Sequence, residues 1–160
     1  MHRSCSVALL ALALPLLGLA GCSGRESAAP AQPMQANASA TTTVGGATLQ
    51  ATTMDVADLN ETVARRYAID HGSSGLLLLV TVRDASGNGI EPGDLRLDAI
   101  AGALLDAPKP LALRPITTGG MTDYIGVFHA SPPATVQIRI SAVRNGARAE
   151  ISTTSDLYQR

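Results

Sequence analysis

The stretch that decides the fold is IRISAVRNGARAEIST, Ile138–Thr153. Asn145-Gly146 at its centre is the strongest two-residue signal for a β-hairpin, because a type I′ turn needs positive φ at both central positions. Taken as that turn, it pairs Arg144 with Ala147, Ala142 with Ala149, Ile140 with Ile151 and Ile138 with Thr153. The mostly apolar positions then face one another, and Ser141/Glu150 and Arg139/Ser152 share the other face. A slip of one residue would exchange the two faces, so turn chemistry and alternation agree on one register.

Working toward the N-terminus, the same grammar repeats. Asp123–Phe128 and Leu111–Thr117 read as strands separated by Gly119-Gly120, and Leu95, Leu97 and Ala99 alternate with Arg96 and Asp98. Leu76–Asp84 reads as a buried strand with Leu78, Val80 and Val82 on one face, followed by turn residues Ala85–Gly89. A first strand is expected within Val44–Met54, where β-branched residues cluster.

Between these, DLNETVARRYAI carries a helical pattern. Asp58 with Glu61 three residues later has the form of a capping box, and Leu59, Val63 and Tyr67 share a stripe. Gly72 supplies a stop. About seven short strands with glycine and proline punctuation predict a mainly β protein: an immunoglobulin-like antiparallel β-sandwich with one short N-terminal helix. Trp is absent and the aromatics are Tyr67, Tyr124, Phe128 and Tyr158, so the core must be Leu, Ile, Val and Ala.

The N-terminus predicts an address. Met1-His2-Arg3 is positive, Val7–Leu19 is almost wholly apolar, and Leu19-Ala20-Gly21-Cys22 follows, the layout of a secretory signal. The apolar run of about 13 residues falls short of the roughly 20 that a spanning helix needs. Leu-Ala-Gly-Cys resembles the lipobox of bacterial lipoproteins. That resemblance implies a diacylglyceryl thioether on Cys22, cleavage after Gly21 and fatty acylation of the new amino terminus. Two or more acyl chains anchor stably, at about 0.8 kcal/mol per buried methylene. Ser23 after the cysteine, rather than Asp, favours the outer membrane.

The chain is thus divided into a lipoprotein signal peptide (1–21), a lipidated cysteine with a flexible tether (22–43) and a β-sandwich domain (44–160). Ser23–Thr43 is rich in Ala, Ser, Pro, Gln and Thr without an apolar period, and about 21 such residues average roughly 25 Å end to end. Cys5 lies in the signal, so the mature chain offers no thiol for a disulfide or a thiolate metal site. Formal charge is −1, and loss of Arg3 leaves about −2. That argues against nucleic acid as a partner.

The candidate chemistry is sparse. Asp84, Ser86, Asn88 and Gly89 mimic the start of a calcium loop, but Leu95 stands where a bidentate Glu belongs, and a plain turn is the better reading. Asp70, His71, Asp123, His129 and Ser131 include the residue types of a hydrolytic triad. No Gly-x-Ser-x-Gly elbow is present, and Ser131 sits before Pro132-Pro133. Two histidines without a third ligand make a weak zinc case. Gly119-Gly120 reads as a turn rather than an anion loop, and Arg65-Arg66 as a solvated helix face. No catalytic residue, cofactor or metal is therefore assigned.

VARRYAIDHGSSGLLLLVTV (Val63–Val82), TDYIGVF (Thr122–Phe128) and a closing hairpin ending in DLY (Asp156–Tyr158) resemble the exported proteobacterial family of domain of unknown function 4426. The resemblance covers the chain from about Thr48 onward. It implies an exported β-rich domain and carries no assigned chemistry. Together these readings predict a lipid-anchored periplasmic or outer-membrane protein that acts by binding, as an accessory module with an envelope protein partner. Carriage or sensing of a small ligand or lipid is the alternative, and hydrolysis comes third.

Overall fold

The computed structural model describes residues 38–159. The closing hairpin has the register that its sequence dictates. Strands β8 (Ala134–Arg144) and β9 (Ala147–Leu157) pair Ile140 with Ile151 and Ile138 with Thr153, and the ladder continues to Ala134 opposite Leu157. Asn145 and Gly146 adopt φ of +49° and +74°, as a type I′ turn requires.

Among the described residues, seven further strands precede this hairpin: β1 (Ser39–Val44), β2 (Ala47–Asp55), β3 (Gly75–Arg83), β4 (Arg96–Ala103), β5 (Lys109–Leu111), β6 (Arg114–Thr118) and β7 (Met121–His129). They form two antiparallel sheets. One has the order β1-β2-β3-β7-β6, the other β5-β4-β8-β9. Their inner faces share one core, to which Leu49, Leu78, Val80 and Val82 come from the first sheet and Val136, Ile138, Ile140 and Ile151 from the second. Among the described residues the protein is therefore mainly β, two antiparallel sheets with one short α-helix.

Strand β3 is buried on both sides. Leu76, Leu78, Val80 and Val82 point into the core between the sheets. Leu77 joins a second cluster on the outer face with Val56, Leu59, Ala64, Ile69 and Ile125. The segment between β2 and β3 supplies most of that cover, which explains the unbroken Leu run.

Several expectations need correction. The domain begins before Val44: Ser39–Thr43, expected as the end of the tether, form most of β1, with Ala40, Thr42 and Val44 facing inward. Backbone pairing of Ser39–Val44 with Ala47–Thr52 stabilises this polar stretch as a strand. The helix α1 (Glu61–Arg66) is capped by Asn60, whose side chain accepts from the Thr62 amide at 2.8 Å, not by Asp58. Asp58 lies instead in a 3-10 turn, Val56–Asp58, that Asp55 caps. The core-facing residue of α1 is Ala64, whereas Val63, expected in the apolar stripe, is exposed. The helix does not wait for Gly72 to stop. Ala68 turns left-handed at φ +49°, the Ile69 amide donates to the Ala64 carbonyl, and the Ala68 amide donates to that of Arg65. That is a Schellman ending with alanine where glycine is usual.

Leu111–Thr117, expected as one strand, is two. Its start belongs to β5 and pairs with β4; its remainder belongs to β6 and pairs with β7 in the other sheet. The crossing passes tightly over β7. A Cβ on Gly126 would stand 2.7 Å from the Ala112 carbonyl oxygen, so only glycine fits there.

Candidate functional site

The two ends of the sandwich differ. At one end the β1–β2 turn meets the β8–β9 turn: the Gly45 carbonyl accepts from the Arg144 guanidinium and, at 3.0 Å, from the Asn145 side-chain amide. Strand β1 therefore starts at the opposite end, where Ala38 accepts from the Thr53 amide at 3.0 Å. That Ala38 end also holds the β4–β5 loop, the β7–β8 loop and the end of β9.

A groove of about 570 Å³ opens there. The end of β4 and β5 form one wall, through Gly102, Lys109 and Leu111, and the end of β7 with the following loop forms the other, through Phe128, His129 and Ser131. Gly102 lets the β4–β5 loop fold back, since a Cβ on it would lie 3.0 Å from Pro108 Cα. The Pro132-Pro133 bond is cis. Apolar side chains floor the groove, while Lys109, His129, Ser131 and Asp106 give it a mixed polar rim.

Within the β4–β5 loop, Leu104 and Leu105 occupy the two central positions of a turn that the Asp106 amide closes onto the Ala103 carbonyl at 2.8 Å. Leu104 is 60% and Leu105 97% exposed. The Leu104 amide donates to the Thr135 carbonyl at 2.9 Å, which fixes the turn to β8. Nothing in the alternation of the sequence marks these residues, because two leucines after a strand read as more core. The sole local sign is the turn chemistry of Asp106-Ala107-Pro108 beside them.

The sequence candidates are dispersed. His71 Nε2 lies 2.7 Å from the Leu59 carbonyl oxygen, a bond that ties the helix surroundings together. Asp70 caps its own turn by accepting from the Gly72 amide at 3.0 Å. Asp123 receives both nitrogens of the Arg83 fork. It is six positions along β7 from His129, about 20 Å at strand rise. His129 and Ser131 do share the groove, and Asp106 lines it too. Among the described residues, no hydrogen bond joins these three. The chain of contacts by which a base activates a nucleophile is not assembled.

The would-be calcium loop is closed by its own carboxylate. Asp84 accepts from the amides of Ser86 and Asn88, both at 2.8 Å, and from the Asn88 side chain. Those bonds hold its carboxyl below the usual carboxylate range. Among the described residues, no group of three or more His, Cys, Asp or Glu is placed to hold a metal ion, and no helix is long and apolar enough to cross a membrane. Gly119-Gly120 is a two-residue turn with positive φ at both positions, and Arg65 pairs with Glu61 at 3.5 Å on an exposed helix face. Cys22 lies outside the described residues.

The fold and its end groove define a two-sheet antiparallel β domain with a groove at one end. The chain belongs to the family of domain of unknown function 4426, whose model matches residues 41–159. Among solved structures it is similar to a DUF4426 family protein from Pseudomonas aeruginosa, at 15% identity and a TM-score of 0.60, over 76% of this chain and 96% of that one. It is also similar to FetP of uropathogenic E. coli strain F11, recombinantly expressed in the periplasm of E. coli BL21(DE3), at 10% identity and a TM-score of 0.53, over 79% and 98% of the two chains. Likenesses at these identities concern the fold. No curated protein matches the chain significantly.

Proposed function

We propose that this protein is a lipid-anchored periplasmic module, held at the outer membrane through Cys22, that acts by binding rather than catalysis. The observation that carries this reading is the end groove. It has the volume of a ligand or side-chain pocket and a mixed lining, without a hydrogen-bonded nucleophile and base. The lipobox supports the anchor, and the recombinant expression of FetP in the periplasm of E. coli is consistent with the compartment. In finer class the fold is an immunoglobulin-like sandwich. In support, β2-β3-β7-β6 opposite β4-β8-β9 follows the order A-B-E-D against C-F-G, with β1 and β5 added.

The occupant of the groove on this reading is an envelope protein presented near the bilayer. The test places a photo-crosslinking residue at Lys109 of the full-length protein in cells, with Cys22→Ala as control. A single protein adduct that vanishes in the control is the expected result. Adduct formation unchanged by Cys22→Ala would remove the anchor from the function, and no protein adduct at all would remove the protein partner. A second reading, carriage or sensing of a small ligand or lipid, is favoured by the same volume, and a lipid adduct at Lys109 would select it.

A further inference from the structure

The Leu104–Leu105 turn stands against local chemistry. The central positions of a turn favour Pro, Asp, Asn, Ser and Gly, and this one presents two leucines, one of them 97% exposed. The turn is not loosely held, because the Ala103–Asp106 bond closes it and the Leu104–Thr135 bond fastens it to β8. A choice that breaks a local rule without an evident structural gain marks a surface with a use. The apolar surface also extends sideways. Pro133 and Ala134 line a shallow depression beside Leu104 and Leu105, and the same two residues line another beside Tyr158, which is itself 49% exposed.

The position of this patch identifies its occupant. It lies at the Ala38 end, the end from which the chain runs back toward Cys22. Cys22 and Ala38 are sixteen positions apart, so the chain between them spans at most about 55 Å. A domain tied at that end is held beside the leaflet at high effective concentration, and weak insertion then suffices. We propose that the Leu104–Leu105 turn inserts into the lipid leaflet that holds the anchor, with Tyr158 at the headgroup level where tyrosine is favoured. This rests on the reading of Cys22 as a lipid anchor. Asp106 and Lys109 flank the tip and Asp156 lies beside Tyr158, so the patch carries no cationic excess; the contact is driven by apolar insertion rather than by attraction to anionic lipid, and added salt leaves it intact.

The test uses the full mature lipoprotein in vesicles of phosphatidylethanolamine with phosphatidylglycerol. In the lipidated chain Cys22 is a thioether, so Leu105→Cys introduces the sole free thiol, and an environment-sensitive fluorophore can be placed there alone. Leu105 is almost fully exposed, so the change leaves the core untouched. Arg148→Cys, beside the turn at the opposite end, is the control. The expected result is blue-shifted emission at position 105, quenched several-fold more by spin-labelled lipid than at position 148, with or without added salt. Equal, water-like emission at both positions, on protein whose Cys22 carries diacylglyceryl by mass spectrometry, overturns the insertion and leaves the anchor reading standing. An unmodified Cys22 overturns the anchor reading and the insertion with it. A blue shift that spin-labelled lipid does not quench, and that grows with protein density, assigns the tip to a second copy of the chain and overturns the proposal.

Discussion

Arg83 donates to both carboxylate oxygens of Asp123, at 2.6 and 3.1 Å, and so clips β3 to β7 on their outer face. Both side chains are largely covered, at 22% and 14% exposure. The Val82 amide adds a bond to the same carboxylate at 3.3 Å. Hydrogen bonding to Asp123 raises the Arg83 pKa above its ordinary value. Removing either partner leaves a half-buried charge unmet. Asp123→Ala and Arg83→Ala are each expected to cost about 2 kcal/mol. The double variant should cost less than the sum by about 1 kcal/mol. Urea denaturation of the four proteins measures the coupling, and strictly additive losses would show that the pair does not act as a unit.

Ala68 ends α1 in a left-handed conformation that glycine adopts more readily. Ala68→Gly is expected to stabilise by about 0.5–1 kcal/mol, the relief of backbone strain exceeding the added freedom of the unfolded chain. A rise in melting temperature of a few degrees is the readout. A fall would mean that the alanine methyl makes a contact worth more than the strain.

Gly45 combines φ of +51° with a close approach, since a Cβ there would stand 2.4 Å from the Arg144 carbonyl oxygen. Gly45→Ala is expected to cost about 2–3 kcal/mol, because backbone rather than a movable side chain is in the way. The denaturation midpoint should fall with the slope unchanged. Gly87→Ala, where nothing lies within 4 Å, tests positive φ alone and should cost less.

The Asp84 loop predicts an acid-side effect. Bonds from Asn88 and its neighbours lower the Asp84 pKa in the folded protein. The stability they confer is present above the unfolded carboxylate pKa, near 3.9, and is lost as pH falls through the lower folded value. Asp84→Asn should flatten that part of the stability–pH profile. An NMR titration of the Asp84 carboxyl carbon checks the direction, and a midpoint at or above the ordinary range would refute it.

The closing hairpin was legible residue by residue because two signals of different origin, turn chemistry and face alternation, constrain one register. Strand β1 was not, because its inward positions include only Ala40 and Thr42 before Val44, and small polar residues carry little period. The helix cap was misplaced for a related reason. Asp58 and Asn60 are both capping types, and the choice fell to which residue packs, Ala64 rather than Val63. The split of Leu111–Thr117 between the sheets depends on the space above Gly126, which no local pattern encodes. At the candidate site, His129 and Ser131 were visible as residue types. The Leu104–Leu105 tip was hidden, since a leucine in sequence does not say whether anything covers it.

The bond network between the Gly45 carbonyl and Arg144–Asn145 fastens the first hairpin of the domain to the last. Strand β1 likewise packs against β9. For a chain delivered N-terminus first, from a ribosome or through a membrane pore, β1 and β2 find their ladder partners early, but the β9 face against which they pack is the last to emerge. Closure of the sandwich, as distinct from pairing within the first sheet, waits for the final segment.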